Sequence, residues 1–350
     1  MCARRGLIHH RERVSGQGVL GGDRGEQDRV SGEQPAAVPQ CRGDRDAGPR
    51  RQGDQAGRVA ADDHHACLGG EGQPVPAAPA QRAGDRPVGH AAGAVDAGEP
   101  VVVLDNLSTG FRFLLPSSVS FVNGSTGDRE LVVKTLHQHR VTAIIHFAAS
   151  IVVPDSMRDP LGYYRNNTMN TCTLLDAAVE AGVKHFIFSS TAAVYGNGGD
   201  EPVRESAPTP PISPYGSSKL MSEIMLHDVG RAFGLRFVIL RYFNVAGADP
   251  KLRTGQSTAG ATHLIKVACE TALGRRPKLE IYGTDYPTPD GTCVRDYIHV
   301  SDLARAHSAA LAHLRRDGAS ATFNCGYGRG ASVIEVIEAV RRVSGREFRV

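Results

Sequence analysis

Val101-Val-Val-Leu-Asp-Asn-Leu-Ser108 decides how the chain is read: an apolar run closed by an acid, the form of a short strand buried on both faces of a parallel sheet. Four further runs follow, Ser118-Val-Ser-Phe-Val122, Ala143-Ile-Ile-His-Phe147, His185-Phe-Ile-Phe188 and Arg236-Phe-Val-Ile-Leu240. Between and after them, apolar residues recur at helical spacing over Leu161 to Gly182, Tyr215 to Phe233, Ala259 to Leu273 and Val333 to Val343. This alternation predicts an α/β protein with a Rossmann-like doubly wound parallel sheet, which takes its ligands at the carboxyl ends of the strands.

Upstream of residue 98 the chain is a different material. The first 97 residues contain no Phe, Tyr, Trp, Lys, Asn or Thr, and all 11 Phe and 9 Tyr lie beyond them. So few large apolar side chains cannot offset the entropy of ordering, so residues 1–97 are predicted to be largely disordered. Their Gly, Ala, Arg and Pro are what GC-rich codons overproduce, which points to an out-of-frame or misassigned translation. Gly16-Gln-Gly18-Val-Leu-Gly21 spells a G-x-G-x-x-G phosphate loop, but Arg11-Glu-Arg-Val-Ser15 before it is no strand, and Asp105 lies far beyond the expected spacing of about 20 residues.

Composition narrows the function. A net charge of +3 over 350 residues, without a basic stripe bearing aromatics, argues against nucleic acid. The seven cysteines are scattered and never spaced C-x-x-C, which predicts no metal site and reduced thiols in a cytoplasmic protein. No apolar run reaches the roughly 18 residues of a membrane span, and the N-terminus has no signal-peptide core.

Tyr215-Gly-Ser-Ser-Lys219 carries the chemistry. Residues four apart share a helix face, so the Lys219 ammonium can favour an ionised Tyr215 phenol and make it a base. Thr191, just past the strand that starts at His185, can hydrogen-bond the same substrate oxygen. Asp105 at a strand end can accept both hydroxyls of an adenosine ribose and repel a 2′-phosphate, favouring NAD over NADP. The small residues of Phe147-Ala148-Ala149 let a cofactor approach the backbone. Asn166 and Asn167 open a helix, as caps or as contacts to the cofactor or a neighbouring loop. Each signal alone has an ordinary structural role; together and in this order they describe an active site.

The longer words extend this reading: Tyr163-Tyr-Arg-Asn-Asn167, Phe188-Ser-Ser-Thr-Ala-Ala-Val-Tyr-Gly196, Ser213-Pro-Tyr-Gly-Ser-Ser-Lys219, Leu240-Arg-Tyr-Phe-Asn-Val-Ala-Gly-Ala248, and Tyr282-Gly-Thr-Asp-Tyr-Pro-Thr-Pro-Asp-Gly-Thr-Cys-Val-Arg-Asp-Tyr-Ile-His-Val300. With them, residues from about 98 to 350 resemble the UDP-glucose 4-epimerase family of extended short-chain dehydrogenases/reductases. The resemblance implies NAD as cofactor and a UDP-sugar as substrate. Tyr215 takes the proton of the sugar 4-hydroxyl while hydride passes from C4 to NAD, Thr191 assists, and Lys219 holds the ribose. The 4-keto sugar turns over in the pocket and hydride returns to its other face. By the same resemblance Asn106 and Phe243 join the cofactor side, and Asn244, His263, Tyr282 and Arg295 contact the nucleotide sugar, with the Arg295 fork suited to the diphosphate. Ala192-Ala193 stands where related 4,6-dehydratases have an Asp-Glu pair, which argues against dehydration.

The resemblance also divides the chain into an NAD-binding domain over 98–245 and a smaller substrate region over 246–350 that partly returns to it. It implies a homodimer through Asn167 to Ala181 and Tyr215 to Phe233. Three departures follow. The family's glycine loop falls near 80–87, where the chain reads Ala-Gln-Arg-Ala-Gly-Asp-Arg-Pro, so the loop and the first central strand are expected to be missing; two or three lost charge-assisted hydrogen bonds weaken cofactor binding at least about a hundredfold. Ser125 stands where an adenine-binding acid is expected. The substrate region is expected to be truncated after Glu347-Phe-Arg-Val350. The alternatives are a 4-epimerase of another UDP-sugar and a non-catalytic remnant that at most binds UDP-sugar.

Overall fold

Strand formation follows the apolar runs. The structure, a computed structural model, describes residues 93–197, 201–256 and 262–350. The expectations of disorder or mistranslation over most of 1–97, and of a missing loop near 80–87, lie outside the described residues. The described chain begins with a helical turn over 93–96, whose Asp96 carboxylate accepts Lys251 and Arg253.

Strand β1 (Val102–Asp105) pairs in parallel with β2 (Ser120–Asn123). Helix α1 (Arg129–Gln138) follows, its first turn capped by the Asp128 carboxylate, which accepts the Leu131 N–H. Strands β3 (Ala143–His146), β4 (His185–Thr191), β5 (Arg236–Tyr242) and β8 (Ala321–Cys325) form a four-stranded sheet in that order, all parallel. Among the described residues no strand joins β1 to β3.

Between β3 and β4 lie α2 (Val153–Arg158), a helical turn Pro160–Tyr163, a π-helical segment Tyr164–Met169 and α3 (Asn170–Glu180). Helix α4 (Pro214–Phe233) links β4 to β5; it starts at a Ser213 cap and a favourable first-turn proline, and ends at Gly234 in the left-handed region. Strand β6 (Asn244–Ala246), helix α5 (Leu264–Ala272), strand β7 (Val294–His299), helix α6 (Val300–Arg315), strand β9 (Gly330–Ser332) and helix α7 (Val333–Ser344) complete the chain.

The period of two along a strand sorts the core to two faces of the sheet. Phe186, Phe188, Phe237 and Ile239 pack with Leu174, Leu175 and Leu226 of α3 and α4. Their neighbours Ile187, Val238 and Leu240 pack with Leu303, Ala310 and Leu314 of α6. Helices on both faces of a parallel sheet make the doubly wound architecture, and each fully buried large apolar side chain contributes about 1.5–3 kcal/mol. A smaller core joins Ala268 of α5 and Ile337 of α7 to Leu279 and Phe348. Arg349 lies beside this core, its carbonyl accepting the Leu279 N–H.

Because β4 and β5 run in register from His185 with Arg236 to Thr191 with Tyr242, their carboxyl ends finish together. Thr191, Phe243 and, one strand over, Phe147 therefore emerge at one edge, where this fold takes its ligands.

Candidate active site

The first turn of α4 is pressed onto the turn that follows β4. A Cβ added at Gly216 would lie 2.6 Å from the Ala193 carbonyl oxygen, so glycine is what allows Tyr215 to approach the chain after Thr191 this closely. Gly216→Ala is expected to push α4 off this turn and lower turnover more than it lowers the unfolding midpoint, as seen by comparing initial rates with thermal melts. Tyr215 itself is buried and meets the ring of Tyr163 edge-on, with centroids 6.5 Å apart. The Tyr163 hydroxyl donates to the Val152 carbonyl at 2.6 Å, and burial, the largest influence on it, raises its pKa.

Lys219 is 3% exposed, its ammonium donating to the Ser189 carbonyl at 2.9 Å and lying 4.8 Å from the centre of the Phe188 ring. The helix face thus carries its cation to the end of β4, two residues from Thr191. The Thr191 hydroxyl accepts the Ala193 N–H at 3.2 Å, which aims the side chain while leaving its proton to donate.

His146, at the end of β3, hydrogen-bonds Thr171 through Nε2 at 2.8 Å. Burial first and the Lys219 charge second push its pKa down to about 3. An imidazole kept neutral in the fold and protonated near 6.5 when unfolded gives a stability that is whole above pH 6.5 and is lost as pH falls towards 3. The slope reaches at most about 1.4 kcal/mol per pH unit. Urea unfolding between pH 7 and 5 is expected to show this slope, and His146→Asn, which keeps a partner for Thr171, to flatten it.

The asparagine pair is not where a cap would be. Asn166 and Asn167 lie inside the π-helical segment, in a continuous helical run begun at Pro160, so neither caps a helix N-terminus. Asn167, 2% exposed, accepts the Ser150 N–H at 2.7 Å and donates to the Ser150 carbonyl at 2.9 Å and to Ser218 Oγ at 3.0 Å. It ties the loop after β3 to the helix between Tyr215 and Lys219, a role the sequence reading left open. Asn166 reaches Ser150 Oγ at 2.9 Å from a more exposed position.

On the cofactor side, Asp105 ends β1 and spends Oδ1 on the Leu107 N–H, which turns the chain sharply at Leu107, φ 54°. Asn106 is exposed and accepts the Ser108 N–H. Phe147 stacks against His307 with centroids 4.9 Å apart, Ala148 is exposed and Ala149 half-buried beside it. Ser125, where an acid was expected, accepts the Gly127 N–H. Phe243 N–H donates to the Cys325 carbonyl at the end of β8.

The four predicted sugar-nucleotide contacts divide. Asn244 and Arg295 lie on the paired strands β6 and β7; the Asn244 amide reaches the Asp296 carbonyl, and Arg295 is exposed, donating to the Val294 carbonyl. Asp296 accepts the Tyr327 and Gly328 N–H groups, not Arg295. Tyr282 is 40% exposed with its hydroxyl on Glu280, which raises its pKa. His263 precedes α5 and meets Gln256 at 2.7 Å.

No cluster of metal-ligating side chains occurs among the described residues, and none of their helices is long and apolar enough to cross a membrane. Cys172, Cys269 and Cys325 are free thiols, with burial pushing Cys325 up to about 12.

Comparison with known proteins agrees with this geometry. The model of the NAD dependent epimerase/dehydratase family matches residues 91–326. UDP-glucose 4-epimerase of Azospirillum brasilense is 62% identical over 252 residues, 72% of this chain and 72% of that protein. The crystal structure of UDP-glucose 4-epimerase from Brucella ovis in complex with NAD superposes with a TM-score of 0.74 at 45% identity, covering 77% of this chain and 82% of that one. The Bifidobacterium longum enzyme, in complex with NAD+ and UDP, gives 0.72 at 35% identity over 76% and 82%.

Proposed function

The chain belongs to the NAD dependent epimerase/dehydratase family, and from that premise we propose that it interconverts UDP-glucose and UDP-galactose by NAD-dependent epimerisation at C4. The observation that carries this reading is the packing of the first turn of α4, which bears Tyr215, on the turn after Thr191, with Lys219 reaching the Ser189 carbonyl at the end of β4 and Ala192-Ala193 where a dehydratase needs acids.

Two ends of the site fit NAD. The Asp105 carboxylate keeps Oδ2 for an adenosine ribose, and at the other end the exposed Ala148 and the buried Lys219 leave room and charge for the nicotinamide ribose. Asn106, Ala149, Asn166 and Phe243 flank these positions. A bound NAD would supply the acceptor and later the donor of the hydride at the sugar C4. Tyr215 takes the proton of the 4-hydroxyl and gives it back, Thr191 donates to the same oxygen and holds it in place, and Lys219 favours the phenolate. Asn244, at the end of the cofactor segment 98–245, and His263, Tyr282 and Arg295 of the substrate region 246–350 bind the nucleotide sugar, and β8 returns that region to the main sheet.

The protein works as a homodimer in the cytoplasm. Met157, Leu161, Met169, Met221 and Ile224 are all more than 40% exposed on the helices between β3 and β5, an apolar surface that supports pairing of two copies there.

The purified full chain is expected to convert UDP-galactose to UDP-glucose with NAD present, detected by coupled oxidation of the product, and to sediment as a dimer. A folded, NAD-loaded chain without conversion would overturn the reading.

A further inference from the structure

Tyr215, Lys219 and Glu223 follow one another at four-residue spacing, so they form a single row along the face of α4 that lies on the sheet. Lys219 ends on the Ser189 carbonyl, and Glu223, only 2% exposed, accepts the hydroxyl of Ser190, the residue before Thr191. The same carboxylate takes Arg241 of β5 through Nε at 3.0 Å and Nη2 at 2.6 Å. The remaining Arg241 nitrogen donates at 2.9 Å to the hydroxyl of Tyr195, over whose ring the guanidinium also lies. Tyr195 in turn donates to Asn324 of β8.

Glu223 and Arg241 therefore hold both ends of the turn that carries Thr191: Ser190 in front of it and Tyr195 behind. A buried ion pair is a poor source of net stability, since desolvation offsets most of its attraction, and apolar residues of equal volume serve as well. What apolar residues cannot do is fix a strand end to a helix by directed bonds. We propose that Glu223 and Arg241 are positioning residues that lock the end of β4 to α4 and so set Thr191 against Tyr215. The proposal rests on the reading of those two side chains as the working groups.

Ser190→Ala breaks the link while leaving the ion pair whole, and Ser190→Thr keeps the hydroxyl. In the full chain, Ser190→Ala is expected to lower kcat about 10- to 100-fold with KM for UDP-galactose within about twofold, and Ser190→Thr to recover most of the loss. Hydrogen exchange is expected to rise in Ser190→Ala over residues 191–196 and 214–219 and to stay unchanged in α6 and α7. Unaltered kcat, or a loss shared by KM, would overturn the positioning role; unaltered exchange would overturn the lock itself. Should the unsubstituted chain show no turnover, the proposed activity fails, and exchange alone then supports or overturns the lock.

Discussion

Tyr215→Phe is expected to lower the rate of UDP-galactose conversion by about 10²- to 10⁴-fold, the range that a positioned acid/base contributes. The substitution removes one oxygen and leaves the ring against Tyr163, so α4 keeps its packing. A free phenol, with a pKa near 10, is about one part in a thousand ionised at pH 7. In the proposed mechanism the base therefore depends on the cation that α4 brings along, and the Lys219 ammonium, held by the Ser189 carbonyl away from bulk water, is the group expected to supply it. Initial rates by a coupled assay, with circular dichroism to show that the fold is retained, check the outcome; a variant within tenfold of the parent would remove Tyr215 from the mechanism.

The largest expected effect on stability is that of Phe188→Ala. Phe188 has no exposed surface, packs in the core under α3 and α4, and lies beneath the Lys219 ammonium with His146 beside it. Removing the ring leaves a cavity between two cationic or potentially cationic groups, and the expected cost is about 3–5 kcal/mol. Urea unfolding at pH 7 measures it. His146 should become easier to protonate in the folded variant as the cavity admits water, so the variant loses less stability to acid than the parent and the cost of the substitution is expected to shrink on going to pH 6.

Much of this was legible because the decisive patterns are local. Val101 to Leu104, His185 to Phe188 and Arg236 to Leu240 read as buried strands from apolar content alone; β4 and β5 contain the last two, and β1 overlaps the first, starting one residue later at Val102. Helix α4 begins one residue ahead of the predicted Tyr215 and ends at the predicted Phe233. The site's polar wiring was not legible. Glu223 and Arg241 stand on different elements, and nothing in the intervening sequence tells a buried pair from two solvated charges. Asn166 and Asn167 were read as caps or contacts because capping is set by neighbours in sequence, whereas a π-helical segment depends on what the helix packs against. The α6 helix, Val300–Arg315, follows β7 without a break, and no punctuation in the sequence separates the two.

That π-helical segment bears on which versions of this chain selection can keep. It holds one residue more than regular winding would, and the Asn170 N–H reaches back to the Arg165 carbonyl. Deleting a single residue there would restore ordinary α-helical hydrogen bonding but turn everything before it by about 100°, taking Asn167 away from Ser150 or Ser218. A library screened for heat resistance would tend to collect such deletions, and one screened for turnover would discard them. The segment is a place where a better helix makes a worse catalyst.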